Sequence, residues 1–94
     1  MIQRFVDDED GYLTWLSTHS TGYVLNCERN PRAVYLVVHR ATCGTISGQP
    51  ARGRKWTAAY QKVCSDSLPE LSDWARPVGS LSPCGLCHPD TGPS

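Results

Sequence analysis

The chain has 94 residues, enough for one hydrophobic core and too few for a second, so a multidomain organisation is excluded. Apolar residues make up 39% and charged residues 19%, with three Trp and four Tyr, which excludes a disordered, charge-dominated chain. Formal net charge is zero, so any electropositive face has to come from how the charges are distributed.

In chain order, the acidic run Asp7, Asp8, Glu9, Asp10 precedes Tyr12, Leu13, Trp15, Leu16 and His19 at helical spacing. The acids favour the positive end of a helix dipole, and the pattern predicts a helix over residues 8–19 that Gly22 ends. Trp15 is assigned to the core. Tyr23, Val24, Leu25, Asn26 and Cys27 read as a strand, with Cys27 in the core. Glu28 to Arg32 supply turn chemistry around Pro31, and residues 33–38 form a second strand, together a β-hairpin. Residues 44–55 contain Gly44, Gly48, Pro50 and Gly53 and resist regular structure. Gln61 to Cys64 are placed on a third strand. Ser67, Leu68, Pro69 and Glu70 carry an N-cap, a first-turn proline and a capping-box acid, which predicts a second helix over residues 68–76 with Trp74 facing the core.

At this size folding buries roughly 60 to 65 per cent of the surface of the unfolded chain, a thin margin that calls for a staple. The longest apolar run, residues 33–38, falls far short of the roughly 20 residues of a membrane span. The N-terminal residues lack the basic and apolar regions of a secretory signal, so a cytoplasmic location is expected. Five cysteines in a reducing compartment point to metal or reactive thiols before disulfides.

Cys84-Gly85-Leu86-Cys87 is a Cys-x-x-Cys turn whose glycine permits the bend that brings two sulfurs to within about 2.3 Å of a zinc. His39-Arg40-Ala41-Thr42-Cys43 supplies a nitrogen and a third sulfur, on one face if a helical turn begins where the strand ends. His39, Cys43, Cys84 and Cys87 would then close a tetrahedral structural Zn2+ site. Cys64 is the rival ligand in place of His39, or otherwise a small buried hydrophobe. His88 adjoins the turn as a supporting or surface group. The expected fold is α+β: one zinc-stapled domain over residues 1–88, with a β-hairpin or three-stranded antiparallel sheet and two short helices, then a flexible tail over residues 89–94.

These segments carry a resemblance. Residues 36–43 and Pro83-Cys84-Gly85-Leu86-Cys87-His88-Pro89 are similar to a small bacterial metal module, the zinc-binding domain of the Ada DNA-repair regulator. The sequence departs from it in having His39 where that family has a cysteine, and in a longer spacer. Gly11-Tyr12-Leu13 with Trp15-Leu16, and Gly22 to Asn26, also look like modules attached to bacterial nuclease or restriction proteins. Both resemblances imply a DNA-associated role, in restriction or DNA modification.

Residues 29–62 contain Arg29, Arg32, Arg40, Arg52, Arg54, Lys55 and Lys62 and no acid, a pattern suited to phosphates. Trp56 and Tyr60 lie among these cations and could stack on bases; the bland reading has the charges solvating a loop and Trp56 in the core. No hydrolase or phosphotransfer signature is present, and no catalytic residue is expected. The favoured function is a nucleic-acid-binding zinc module, with DNA as the polymer. The alternatives are a protein-interaction or regulatory zinc domain docking an acidic partner, and a thiol redox or alkyl-acceptor protein at Cys84 or Cys87.

Overall fold

A computed structural model of the chain describes residues 2–46, 57 and 60–89. The acidic run begins a helix as its charges dictate: the Asp8 carboxylate accepts from the Gly11 N–H at 2.9 Å, and α1 covers Glu9–Thr18. Gly22 follows it at a close approach, where a Cβ would lie 2.7 Å from the Trp15 ring. Ser67 caps the second helix, α2 (Leu68–Ala75), through the Glu70 N–H at 3.3 Å. The expected capping box is relayed: Ser65 Oγ accepts from Ser67 N–H at 2.9 Å and donates to Glu70 at 2.6 Å. Neither helix is long and apolar enough to cross a membrane.

Five strands form one sheet: β1 (Gln3–Phe5), β2 (Tyr23–Glu28), β3 (Leu36–Arg40), β4 (Tyr60–Ser65) and β5 (Ser82–Pro83), in the order β1-β4-β2-β3-β5. All pairs are antiparallel except β3 with β5. The three expected strands are its centre. The two further strands are edges of two and three residues, too short to show an alternating pattern.

Side-chain alternation divides the sheet into two faces. Leu25, Cys27, Leu36, Val38 and Val63 pack against Leu71 and Ala75 of α2, with Trp74 half-buried beside them. Phe5, Val24 and Cys64 pack against Tyr12 and Trp15 of α1 on the other face, together with Cys43, Ile46 and Cys84. Cys27, Trp15 and Trp74 thus lie where the sequence put them.

The second strand of the hairpin starts three residues later than expected and runs through Arg40. Pro31 has no N–H for a ladder, and Tyr35 N–H closes a turn on the Arg32 carbonyl at 3.1 Å, so Ala33 and Val34 stay outside the sheet. This shift sets the site, because it places His39 inside the strand, opposite Val24 and on the α1 face. At the other end, Pro89 is buried and belongs to the fold; residues 90–94 of the expected tail lie outside the described residues.

Candidate metal centre

The parallel pairing of β3 with β5 brings the two halves of the site together. Val38 stands opposite Pro83, and the Val38 carbonyl accepts from Cys84 N–H at 2.9 Å, so Cys84 is held alongside His39. Cys43 reaches the same place by a β-turn, its N–H donating to the Arg40 carbonyl at 2.9 Å, rather than by the expected helical turn. The ladder already fixes His39, so one tight turn suffices to return Cys43.

Side-chain ligand atoms of His39, Cys43, Cys84 and Cys87 all lie within 4.8 Å of one another. The sulfurs of Cys43 and Cys84 are 3.9 Å apart. Four atoms at tetrahedral angles, about 2.0–2.3 Å from one ion, would lie roughly 3.5–3.8 Å apart, so the cluster could hold a metal ion with little movement. His39, Cys43 and Cys84 are buried and Cys87 is half-buried.

His39 Nε2 is buried with no hydrogen-bond partner, the one such side-chain atom among the described residues. An unpaired buried acceptor is costly; next to three sulfurs, its lone pair has a metal ion as the fitting partner. Burial, and then the charge of Lys62, push the imidazole down to about 4, which keeps it in the neutral form that a metal requires.

Backbone donors complete the sulfur environment. Leu86 N–H points at Cys84 Sγ at 3.3 Å and Arg40 N–H at Cys87 Sγ at 3.2 Å. Burial pushes the Cys84 thiol up, but N–H groups of Cys87 and Leu86 and hydrogen bonds from the Cys87 and Cys43 thiols outweigh it and bring it to about 7. Cys87 moves to about 11 through burial and its two sulfur neighbours, despite the Arg40 N–H. The positive charge of a bound ion would draw both toward thiolate.

Gly85 lies in the turn, but the bend does not require a glycine there: its φ lies outside the left-handed region and a Cβ would meet nothing. The left-handed residue is His88 (φ 49), whose N–H donates to the Cys84 carbonyl at 3.0 Å. The His88 side chain is exposed and outside the cluster. Cys64 is outside it too. It stands opposite Val24, which stands opposite His39, about 10 Å away across two strand spacings; it is fully buried, and burial raises its thiol well beyond the usual range.

The expected nucleic-acid residues are dispersed. Arg29 pairs with Asp7, and Arg32 pairs with Glu28 through two bonds of 2.7 and 3.0 Å, so acids from outside the acid-free segment fold back onto it. Arg40 donates to the carbonyls of Cys87 and His88 at 3.0 and 3.2 Å. Lys62 is 3% exposed and donates to Asn26 at 2.8 Å. Tyr60 is exposed at the start of β4 and packs on Tyr35, with ring centres 5.2 Å apart. Arg52, Arg54, Lys55 and Trp56 lie outside the described residues.

Sequence reasoning missed Thr45, whose hydroxyl lies 2.9 Å from Cys43 Sγ and 3.3 Å from His39 Nδ1, and the supporting use of Arg40. A hydroxyl two residues after a ligand carries no motif signal. Compared with known proteins, the chain matches no family model, no curated protein and no solved structure.

Proposed function

We propose that this chain is a structural-zinc module that presents a basic segment to nucleic acid, DNA being the favoured polymer, and that its metal builds the fold instead of performing chemistry. The observation that carries the metal reading is the orphaned Nε2 of His39 among three cysteine sulfurs. Three thiolates and an imidazole suit zinc, and a site with four protein ligands leaves no open position for water or substrate.

The binding reading rests on the segment 47–56. It contains Arg52, Arg54, Lys55 and Trp56 and no acid. The residues on either side of it are fixed: the Ile46 carbonyl accepts from Tyr12 at 2.5 Å, and Thr57 is buried and bonded to the start of α1. The acids around Thr57 are engaged, Asp7 by Arg29, Asp8 by the helix cap and Glu9 by Thr57. The resemblance of residues 36–43 and 83–89 to segments of the Ada zinc domain supports the same direction.

Metal analysis of the purified protein should give about one zinc per chain. Affinity for a DNA duplex should fall with salt, and the triple change R52A/R54A/K55A should reduce the slope of log K against log salt by up to roughly three times 0.9. Zinc-free folded protein would refute the metal reading. An unchanged slope, or no binding at low salt, would remove the nucleic-acid reading.

A further inference from the structure

We infer that Thr45 is a positioning residue of the metal centre, whose hydroxyl relays a hydrogen bond from His39 Nδ1 to Cys43 Sγ and so assigns His39 Nε2 to the ion. This rests on the metal reading above.

The Thr45 oxygen is 3.3 Å from His39 Nδ1 and 2.9 Å from Cys43 Sγ. A hydroxyl has one proton to donate and lone pairs to accept with. A metal-bound thiolate only accepts, so the Thr45 proton is directed at Cys43 Sγ. The oxygen is then left to accept, and Nδ1 must carry the proton. An imidazole protonated at Nδ1 has its lone pair on Nε2, and Nε2 is the buried atom with no other partner. The opposite order, with Thr45 donating to Nδ1, would put a proton on Nε2 and aim an N–H into the cluster. Only one arrangement of protons satisfies all three groups and leaves a ligand lone pair.

The backbone places Thr45 for this purpose. It sits between Cys43, whose N–H is bonded to the Arg40 carbonyl, and Ile46, whose N–H donates to the Cys43 carbonyl at 3.2 Å. Tyr12 holds the Ile46 carbonyl from the core side, so the turn that carries the hydroxyl is fixed at both ends. Partners of this kind orient metal-binding histidines, and their loss lowers metal affinity about 10- to 100-fold.

The test uses the full chain, 15N-labelled at histidine and loaded with zinc. Long-range 1H–15N correlation should show His39 protonated at Nδ1 and metal-bound at Nε2. In competition with a chromophoric chelator, Thr45→Val should bind zinc about 10- to 100-fold more weakly than wild type, and Thr45→Ser should keep wild-type affinity. Coordination through Nδ1, or equal affinity of wild type and Thr45→Val, would overturn the inference with the metal reading intact. A wild-type chain that takes up no zinc would remove both. Should Thr45→Val not fold, the wild-type spectrum and the serine variant still decide.

Discussion

The Arg40 guanidinium donates through Nε to the Cys87 carbonyl at 3.0 Å, while the Arg40 N–H donates to the Cys87 sulfur at 3.2 Å. One residue of β3 therefore grips the last residue of the His/Cys cluster from two sides, and a second guanidinium nitrogen reaches the His88 carbonyl. Arg40→Ala should weaken zinc binding about 10-fold, read by chelator competition. Arg40→Lys should restore little, because an ammonium lacks the planar fork that spans two carbonyls. At saturating zinc, the salt slope of DNA binding should not change in Arg40→Ala. A slope smaller by about 0.9 would show that Arg40 contacts phosphate instead.

Cys64 and His39 occupy the same face, separated by Val24, and make opposite predictions. His39→Ala and Cys84→Ser should each lose stoichiometric zinc. Structural zinc contributes about 10–16 kcal/mol of apparent binding energy, as much as the whole stability of a domain this size. Chelation of the wild type should therefore abolish the cooperative thermal transition. Cys64→Ala should retain zinc and lose about 1 kcal/mol, the cost of an ordinary core change. Loss of zinc from Cys64→Ala, with retention in His39→Ala, would transfer the fourth ligand to Cys64.

Stability should depend on pH through four buried groups. Burial, and then the Lys62 charge, lower His39 from 6.5 to about 4. The unfolded chain binds the extra proton in that window, so stability falls as pH drops from 6.5 toward 4. Burial lowers Lys62 from 10.5 to about 8, against the opposing pull of Glu9, Cys64 and Cys27; the unfolded chain again binds more protons, so stability rises with pH above about 8. Cys27 runs the other way. Burial raises its thiol from 9.0 to about 11, although Gln61, Arg4 and Lys62 oppose the shift. Above pH 9 the unfolded thiol loses its proton first and stability declines. Cys64 adds to that decline. Urea midpoints across the range should show a maximum near pH 9, with Lys62→Met reducing the rise between 8 and 9, to which the lowered Cys84 thiol also contributes. A flat profile between 8 and 9 in the wild type would contradict the lysine assignment.

The four residues of the cluster were legible because Cys-x-x-Cys and His-x-x-x-Cys are local patterns, and so was the helix cap at Ser67; the acidic run marked the start of α1 without singling out Asp8 as its cap. The path that joins the ligands was not. It depends on a two-residue parallel strand, Ser82–Pro83, whose existence is decided by the Val38 partner and not by its own composition. Charge was misleading for a similar reason. The segment 29–62 is free of acids along the chain, yet Asp7 and Glu28 meet Arg29 and Arg32 in space. Lys62 alternates inward with Cys64 on the face that α1 covers. Reading residues 33–38 as one strand of β-branched and aromatic character also hid the start at Leu36, since Pro31 acts through a missing ladder bond and not through hydropathy.

Glu9 and Thr57 define the last test, which concerns the segment 47–56. Glu9 Oε2 accepts from the Thr57 N–H at 2.6 Å and from its hydroxyl at 2.5 Å, while Asp7 N–H donates to the Thr57 carbonyl at 2.9 Å and Asp8 N–H to its hydroxyl at 2.8 Å. Thr57 is fully buried, so losing the carboxylate leaves a buried donor unsatisfied, a cost of about 1–3 kcal/mol in Glu9→Ala. Releasing that anchor should also raise the rate of proteolytic cleavage within 47–56 and weaken DNA binding, since a looser segment loses more entropy on docking. Glu9→Gln keeps an acceptor oxygen and removes the charge. It should protect the segment better than alanine does, yet move the Lys62-dependent rise in stability to lower pH, because Glu9 is the leading group that holds the lysine pKa up. Equal cleavage rates in wild type and Glu9→Ala would mean that the anchor at Thr57 does not restrain the basic segment.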